Sequence, residues 1–351
     1  MRENRLASDV IQERKSRRPR AAAKRGESSS TVAGPPRRSA RRGVTAGDIE
    51  LTHPDRELWP GITKRDLTEY WAAIAQHALP GLVRRPLAIV RCPEGINGSH
   101  FFQKHGHGAL PSAVRQGEAA GQPYLAIDNA AGLIAMAQIS AIELHAWGAT
   151  EARSLSPDQI VFDLDPGEGV NFDEVVQAAI DVRDQLVRLG LESFCRTTGG
   201  NGLHVVVPLE PIAEWDEIKL FCRTFAEVLG REEPERFLST VKKADRKGRV
   251  LIDWLRNGLG ATAVASFCPR ARSGAPVATP LAWDQVTAKL EPSQFTLRGT
   301  PDRLARQEAD RWRDFEAARR PLPDITRMAA PLASRRGGLP AVTTTTPKRG
   351  R

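Results

Sequence analysis

Residues 159–209 read QIVFDLDPGEGVNFDEVVQAAIDVRDQLVRLGLESFCRTTGGNGLHVVVPL, and this stretch decides the fold class. It opens with an apolar run, 159–165, that ends in two acids followed by Pro-Gly, which is typical of a strand stopping at the rim of a sheet. Apolar residues near helical spacing then predict an amphipathic helix over 171–189. Strands are predicted at 193–197 and 203–209, on either side of a glycine turn. The alternation indicates an α/β or α+β core around a central sheet.

The same mixture of helices and strands continues outward from this stretch. The sequence predicts helices over 64–77 and 215–229, and buried strands over 85–92 and 249–255. Residues 1–46 are rich in Arg, Ala, Ser, Gly and Pro and lack apolar periodicity, so we expect a disordered basic tail. We expect one folded domain over 47–320 and a C-terminal extension with a basic tail over 321–351.

The net charge of +9 lies in the two tails. Residues 1–46 carry +9 and residues 335–351 carry +5, which leaves −5 for residues 47–334. The tails could hold a polyanion such as DNA loosely, or they could be solubilising linkers. The four cysteines form no CxxC pair, no apolar run approaches the roughly 20 residues of a membrane span, and the N-terminus lacks the apolar region of a secretory signal. These features favour a cytoplasmic protein with no membrane partner.

Three acids stand in strands that are otherwise apolar. Asp163 and Asp165 form a D-x-D unit, and the period of two in a strand directs both carboxylates to the same face. Asp253 lies in the apolar run VLIDWL, where an unpaired carboxylate would be costly. Carboxylate oxygens at this spacing suit Mg²⁺ or Mn²⁺, and three of them could hold two such cations. The alternative is that the first two acids cap the next turn and Asp253 pairs with an arginine.

The glycine turn at 196–204, RTTGGNGLH, joins two predicted strands. Its glycines permit a tight turn and a close approach of a ligand to backbone N–H groups, while Thr198 and His204 offer groups suited to triphosphate oxygens. The turn is not a Walker A loop, because the GK[ST] ending is missing, and no G-x-G-x-x-G opens a helix. The alternative is a plain hairpin with a structural histidine.

The order of these motifs carries a family resemblance. The motifs DLDPG at 163–167, TTGGNGLHVVVPL at 197–209 and VLIDWLRN at 250–257 resemble the three motifs of the archaeo-eukaryotic primase superfamily. They are most similar to those of the polymerase domain of bacterial ligase D, a DNA end-joining enzyme. Further matching segments are HPDRELWPGITK at 53–64, RPLAIVRCPEG at 85–95, FFQKH at 101–105, ELHAWG at 143–148 and PRARSGAPVATPLAW at 269–283. The resemblance covers roughly residues 47–320 and implies a primase–polymerase fold, with a mostly antiparallel central sheet flanked by helices.

The resemblance also implies roles at the nucleotide site. Asp163, Asp165 and Asp253 would bind two catalytic cations, Mn²⁺ or Mg²⁺, and the other residues would bind the incoming nucleotide. Guanidinium groups suit phosphate charge, and aromatic rings suit stacking on a base. The residues implied in nucleotide binding are Thr198, His204, Arg256, Arg270, Arg272, Phe101, Phe102 and His145.

A second group matches the family pocket for the 5′-phosphate at a DNA gap. His53, Arg56 and Lys64 occupy the pocket positions, and Lys104 adds positive charge. The family commonly has Asn at the position of His53 and Lys at that of Arg56, but both replacements can donate hydrogen bonds to a phosphate. Asn201 stands where the family often has Lys, which removes one positive charge from the glycine turn.

The reaction implied is attack of a primer 3′-hydroxyl on the α-phosphate of a nucleoside triphosphate. The family fills gaps in bacterial non-homologous end joining, prefers ribonucleotides and works with the Ku end-binding protein and a DNA ligase, which would place the chain at the nucleoid. No K-x-D-G adenylation motif is present, so the ligase would be a separate protein, or this chain would be a piece cut from a longer fusion with it. Two rival interpretations are a stand-alone primase that starts strands without a primer, and a non-catalytic DNA end-binding module, against which the three acids argue.

Overall fold

The computed structural model describes residues 44–46, 49–106, 110–242, 245–307 and 310–326. Sixteen strands and five α-helices alternate within these residues. The strands are β1 Val44–Ala46, β2 Ile49–Leu51, β3 Glu57–Trp59, β4 Ile62–Thr63, β5 Leu87–Arg91, β6 Phe101–Gln103, β7 Arg115–Ala119, β8 Gln122–Ala126, β9 Ala141–Ala146, β10 Gln159–Pro166, β11 Phe194–Thr197, β12 Leu203–Pro208, β13 Phe237–Leu238, β14 Val250–Asp253, β15 Ala263–Val264 and β16 Pro280–Leu281. The helices are α1 Lys64–Ala78, α2 Ala130–Gln138, α3 Phe172–Arg188, α4 Trp215–Glu232 and α5 Thr300–Ala305.

One six-stranded sheet, here called the site sheet, has the order β13-β14-β10-β12-β11-β16. Its pairs are antiparallel except β13 with β14. Along β10, the side chains of Ile160, Phe162 and Leu164 enter the core formed with α3 and α4, and the ring of Phe162 lies 4.6 Å from that of Phe225. Because successive side chains of a strand point to opposite faces, Asp163 and Asp165 lie on the other face.

The helix that follows β10 begins where the sequence predicts. The Asn171 N–H donates to the Glu174 carboxylate at 2.7 Å, which completes a capping box at the start of α3. Buried residues of α3 recur at helical spacing and pack on the site sheet; they are Val175, Val176, Ala179, Val182 and Leu186. The helix thereby covers one face of the sheet and leaves the acid-bearing face available.

A second six-stranded sheet has the order β15-β9-β5-β8-β7, with β6 paired to β5. Helices α1 and α2 share its core. Residues 254–262 lead from β14 of the site sheet to β15 of this second sheet. Two buried contacts join the parts: Arg85 makes a bidentate pair with Asp158, at 2.6 and 2.8 Å, and the Trp59 indole donates to the Arg270 carbonyl at 2.9 Å.

The first part of the C-terminal described segment, 310–326, with Trp312 and Phe315, packs on the acid-bearing face of the site sheet, whereas Leu322 and Ile325 pack against the core on the helix-covered face. Trp312 and Phe315 stack on each other and contact the cluster of Val161, Val206 and Ala263. The Trp312 indole donates to the Cys195 carbonyl at 3.1 Å. Trp312 and Phe315 cover the part of the face beside the acids, so the acids lie at the edge of the covered area.

The expected mixed fold with mostly antiparallel sheets is confirmed, but two details differ from the sequence prediction. Within the described residues, two six-stranded sheets are found rather than one central sheet. Residues 44–46, assigned to the disordered tail, form β1, which pairs with β2; residues 1–43 and 327–351 lie outside the described residues. Since two paired strands of three residues each show almost no periodicity, no sequence pattern predicts β1.

Candidate active site

A row of polar side chains crosses four adjacent strands of the site sheet. Arg196 of β11 is opposite His204 of β12, His204 is opposite Asp163 of β10, and Asp163 is opposite Asp253 of β14. Residues directly opposite in antiparallel strands have their side chains about 5 Å apart on the same face. Strand pairing therefore brings together two acids that are 90 residues apart in the sequence.

Asp165 extends this row along β10. It lies two residues beyond Asp163 on the same face, and its carboxylate accepts from Arg246 Nη1 at 2.8 Å. Arg246 belongs to the segment before β14, which approaches the turn after β10 so closely that a Cβ at Gly167 would lie 1.7 Å from the Arg246 carbonyl oxygen. Glycine at position 167 is thus required for the segment that carries Arg246 to reach Asp165.

Arg256 lies across the two opposed acids. Its Nη2 is 3.2 Å from Oδ2 of Asp163, and its Nε is 3.2 Å from Oδ2 of Asp253. Burial alone would raise the pKa of Asp163, but His204 and Arg256 hold that pKa well below its usual value. Burial and the charge of Asp163 raise the pKa of Asp165, and burial raises that of Asp253. The carboxylates are thus only partly compensated by the arginines.

The donor set fits hard divalent cations, although Arg256 and Arg246 now pair with the three carboxylates. In the parts of the chain that the structure describes, no three His, Cys, Asp or Glu side chains form a closed metal-binding cluster. Three carboxylates nevertheless face the same space. Burial, together with the charge of Asp163, raises the pKa of Asp165, and burial raises that of Asp253. Carboxylate oxygens are the hard donors that Mg²⁺ or Mn²⁺ requires, so the residues present suit such ions.

His204 is fully enclosed beside the acids. Its Nε2 lies 3.3 Å from Oδ1 of Asp163, and its Nδ1 accepts from Arg196 Nε at 3.1 Å. Burial lowers the pKa of His204 to about 4, against the attraction of Asp163. Burial also lowers the pKa of Arg196 to about 10. The imidazole is therefore neutral at physiological pH, while Arg196 remains charged.

The glycine turn between β11 and β12 is held by two arginines. The Gly199 backbone has a φ of +67°, which glycine adopts without strain, and a Cβ there would lie 2.5 Å from Cγ of Arg270. Arg270 Nη1 donates to the Thr198 carbonyl, and Arg272 packs against Gly200. The turn and both arginines thus form one positively charged surface next to His204.

A buried carboxylate, Glu143, holds this surface to the second sheet. It accepts from His145 Nε2 at 2.8 Å and from the Ala271 N–H at 2.9 Å, and it lies 3.1 Å from Arg270 Nε. Burial alone would raise the pKa of Glu143, yet Arg270 and His145 hold it well below its usual value. Burial lowers the pKa of His145. Glu143 therefore acts as an anion shared by two predicted nucleotide-binding residues.

The paired phenylalanines of β6 lie beside His145. The Phe102 ring packs on the core of the second sheet, with its centroid 6.1 Å from that of His145, and Phe101 is half-buried. Because neighbouring strand residues face opposite sides, the Phe102 ring packs on the core and the Phe101 ring lies on the opposite face of the strand. Lys104 donates to the Gly260 carbonyl at 3.0 Å, in the segment that follows Arg256.

Of the four predicted 5′-phosphate residues, His53, Arg56 and Lys64 lie around the start of α1, whereas Lys104 contacts Gly260 instead. Lys64 is buried, and its ammonium donates to the carbonyls of Thr52 and Gln138 at 2.9 and 2.8 Å. Burial and the charges of Arg56 and Arg91 lower the pKa of Lys64 to about 8. His53, whose carbonyl accepts from the Arg56 N–H, has a φ of +51°. Arg56, Lys64 and Arg91 thus form a cluster of cations whose repulsion an anion would relieve.

Comparison with known proteins identifies the family. The family model described as LigD, primase-polymerase domain, matches residues 63–312. The chain belongs to the LigD primase-polymerase domain family. Among relatives, the multifunctional non-homologous end joining protein LigD of Pseudomonas aeruginosa is 36% identical over 299 residues, which cover 81% of this chain and 36% of that protein. The bifunctional non-homologous end joining protein LigD of Bacillus subtilis is 28% identical over 246 residues, 70% of this chain and 40% of that protein.

A solved structure supports the same assignment at the level of the fold. The polymerase domain from Mycobacterium tuberculosis ligase D in complex with DNA is similar with a TM-score of 0.69 and 31% identity, over 77% of this chain and 98% of that one. This chain spans about a third to two-fifths of the length of the curated LigD relatives. The resemblance drawn from the motifs is confirmed, and membership of a polymerase family makes the chain a nucleotidyltransferase.

The LigD motifs predicted which acidic and basic side chains lie close together, but not all of the residues that position them. The structure brings Asp163, Asp165, Asp253, His204 and Arg256 together as expected. Sequence reasoning missed Arg196, Glu143, Arg246 and Arg91. Arg196 and Glu143 gave a usable signal, because each is a charge in an apolar strand, as Asp253 is. Arg246 gave none, since it stands in a stretch of many basic residues.

Proposed function

We propose that this chain extends a primer strand on a DNA template by attack of the 3′-hydroxyl on the α-phosphate of a nucleoside triphosphate. One observation carries the proposal. Asp163 and Asp253 are directly opposite on adjacent strands, with Asp165 on the same face of β10. Acids so arranged, beside an arginine-rich surface, fit transfer of a nucleotide with loss of pyrophosphate.

The three carboxylates would hold two divalent cations, Mn²⁺ or Mg²⁺. When bound, such ions supply activation of the 3′-hydroxyl and stabilisation of the leaving pyrophosphate. Arg256 and Arg246, which now neutralise these carboxylates, would give up those oxygens to the cations. Their guanidinium groups would then be able to pair with phosphate oxygens, for which their fork geometry is suited.

The arginine-held glycine turn would bind the triphosphate. Thr198 and His204 offer polar groups there, and Arg270 and Arg272 supply two positive charges at the same surface. His145 would contact the nucleotide from the second sheet. A base stacking on the Phe101–Phe102 strand would complete the site, because aromatic faces accept any base.

The cation cluster around α1 would bind the 5′-phosphate of a DNA gap. Arg56, Lys64 and Arg91 concentrate positive charge there, and His53 adds a donor. DNA is the ligand in the mycobacterial polymerase-domain structure. By extension from the LigD relatives, the chain would serve end joining with Ku and a DNA ligase at the nucleoid, and would prefer ribonucleotides.

Primer extension on a gapped duplex tests the proposal, with ribo- and deoxyribonucleotides and with Mg²⁺ and Mn²⁺ compared. Asp163→Asn should lower the extension rate by about 10²–10³-fold, because charge stabilisation of the transition state is lost. The matched control is Asp216→Asn, an exposed acid in the first turn of α4, which should extend at the wild-type rate. DNA binding by both variants should stay near the wild-type value. Extension by Asp163→Asn at the wild-type rate would contradict the mechanism.

A further inference from the structure

Arg196 is a buried arginine whose guanidinium is fixed from three directions. Its Nε donates to Nδ1 of His204 at 3.1 Å, and its Nη1 donates to Oγ of Ser266 at 3.2 Å. The guanidinium carbon lies 5.9 Å from the ring centroid of Trp312. These contacts come from β12, from the segment after β15 and from the C-terminal segment. The orientation of Arg196 therefore depends on three distant parts of the chain.

The chemistry of the two side chains decides where the proton of His204 lies. A guanidinium has only donors, so Nδ1 of His204 must accept from Arg196 Nε. A neutral imidazole has one donor and one acceptor, and the proton is therefore on Nε2. That nitrogen lies 3.3 Å from Oδ1 of Asp163. The other tautomer would set two donors against each other at Arg196 and a lone pair against the carboxylate.

We propose that Arg196 is a positioning residue that selects the Nε2–H tautomer of His204, so that this one N–H lies beside Asp163 and can donate to the incoming triphosphate. Arg196 need not touch the nucleotide, because its effect passes through the imidazole. The catalytic consequence rests on the proposed polymerase function. The tautomer itself does not, since it follows from contacts within the protein.

The tautomer can be observed directly by nitrogen NMR of the full chain with ¹⁵N-labelled histidine rings. The chain has seven histidines, and the spectrum of His204→Gln identifies the signal of His204 by its disappearance. In the wild type we expect a protonated-type shift at Nε2 and an acceptor-type shift at Nδ1. The opposite pattern in the wild type would overturn the proposal without any variant at Arg196.

Substitutions at Arg196 test whether that residue makes the selection. Arg196→Met, of similar length but without donors, should give averaged shifts from a mixture of tautomers, whereas Arg196→Lys keeps a donor and should retain Nε2–H. The matched control is Arg183→Met. Arg183 is a residue of α3, and its guanidinium lies over the ring of Trp283. An unchanged pure Nε2–H signal in folded Arg196→Met would refute the selection by Arg196. If the Met variant does not fold, the wild-type spectrum still decides the tautomer, and loss of the Nε2–H signal in Arg196→Lys would contradict selection by a donor at position 196.

A kinetic cycle separates positioning from a purely structural role. Arg196→Met should lower kcat/KM for primer extension about tenfold, equivalent to about 1.4 kcal/mol, with partial rescue by Arg196→Lys. In a His204→Gln background the same change should cost less than about twofold, because the imidazole is already absent. Equal losses in both backgrounds would overturn the proposal. A wild-type chain that extended no primer would instead contradict the proposed function, and the spectrum would still decide the tautomer.

Discussion

The phosphate-pocket lysine predicts a pH dependence of DNA recognition that can be measured without catalysis. The perturbation is a rise in pH from 7 to 9. Burial and the charges of Arg56 and Arg91 lower the pKa of Lys64 to about 8, so its ammonium is charged below that pH and loses its proton above it. Binding of a 5′-phosphate should need the charged form, because a cation and an anion attract each other only while both are ionised.

The magnitude follows from the fraction of Lys64 that is protonated. With a pKa of about 8, roughly nine-tenths of the molecules carry the charge at pH 7 and roughly one-tenth at pH 9. The preference for a 5′-phosphate over a 5′-hydroxyl should therefore fall by up to about tenfold over this range. The bound phosphate would itself raise the pKa, which reduces the change but keeps its direction.

The assay is fluorescence anisotropy with two gapped duplexes that differ only in the 5′-phosphate. The ratio of the two Kd values cancels the general effect of pH on binding to the DNA backbone. Lys64→Arg is the matched variant, because a guanidinium stays charged throughout, and its ratio should not change with pH. A wild-type ratio that is the same at pH 7 and pH 9 would refute the reasoning.

Three further predictions concern groups that hold the site together. Arg85→Ala should lower the free energy of unfolding by about 3 kcal/mol in chemical denaturation, because it removes the bidentate partner of buried Asp158 and leaves it with Arg319 at 3.3 Å; a loss below 1 kcal/mol would contradict this. Glu143→Gln should raise the KM for nucleotide several-fold in primer extension, since Arg270 loses its anion; an unchanged KM would argue against the anchoring role. Gly167→Ala should lower Tm, because the added Cβ meets a carbonyl, whereas Gly81→Ala, with open space, should not; equal Tm values would be evidence against the close approach.

Local sequence patterns predicted most of the elements around the acids. The predicted helix at 64–77 is α1, Lys64–Ala78, and the one at 171–189 is α3, Phe172–Arg188. Both carry apolar side chains at helical spacing and a capping residue, which are properties of a short stretch of chain. The short strand β1 was missed because three residues carry no recognisable pattern. Its assignment as a strand depends on pairing with β2, which a local pattern does not show.

The sequence by itself determined the family and the residue types of the site, because motif order and alternation within each strand are encoded locally. Only the tertiary structure decided which groups meet. The pairing of β10 with β14 sets Asp163 opposite Asp253, and the contacts of Arg196 and Glu143 join segments that are far apart in the chain. The physical reason is that the charge, tautomer and pKa of a buried group depend on neighbours across strands, and no local period specifies those neighbours.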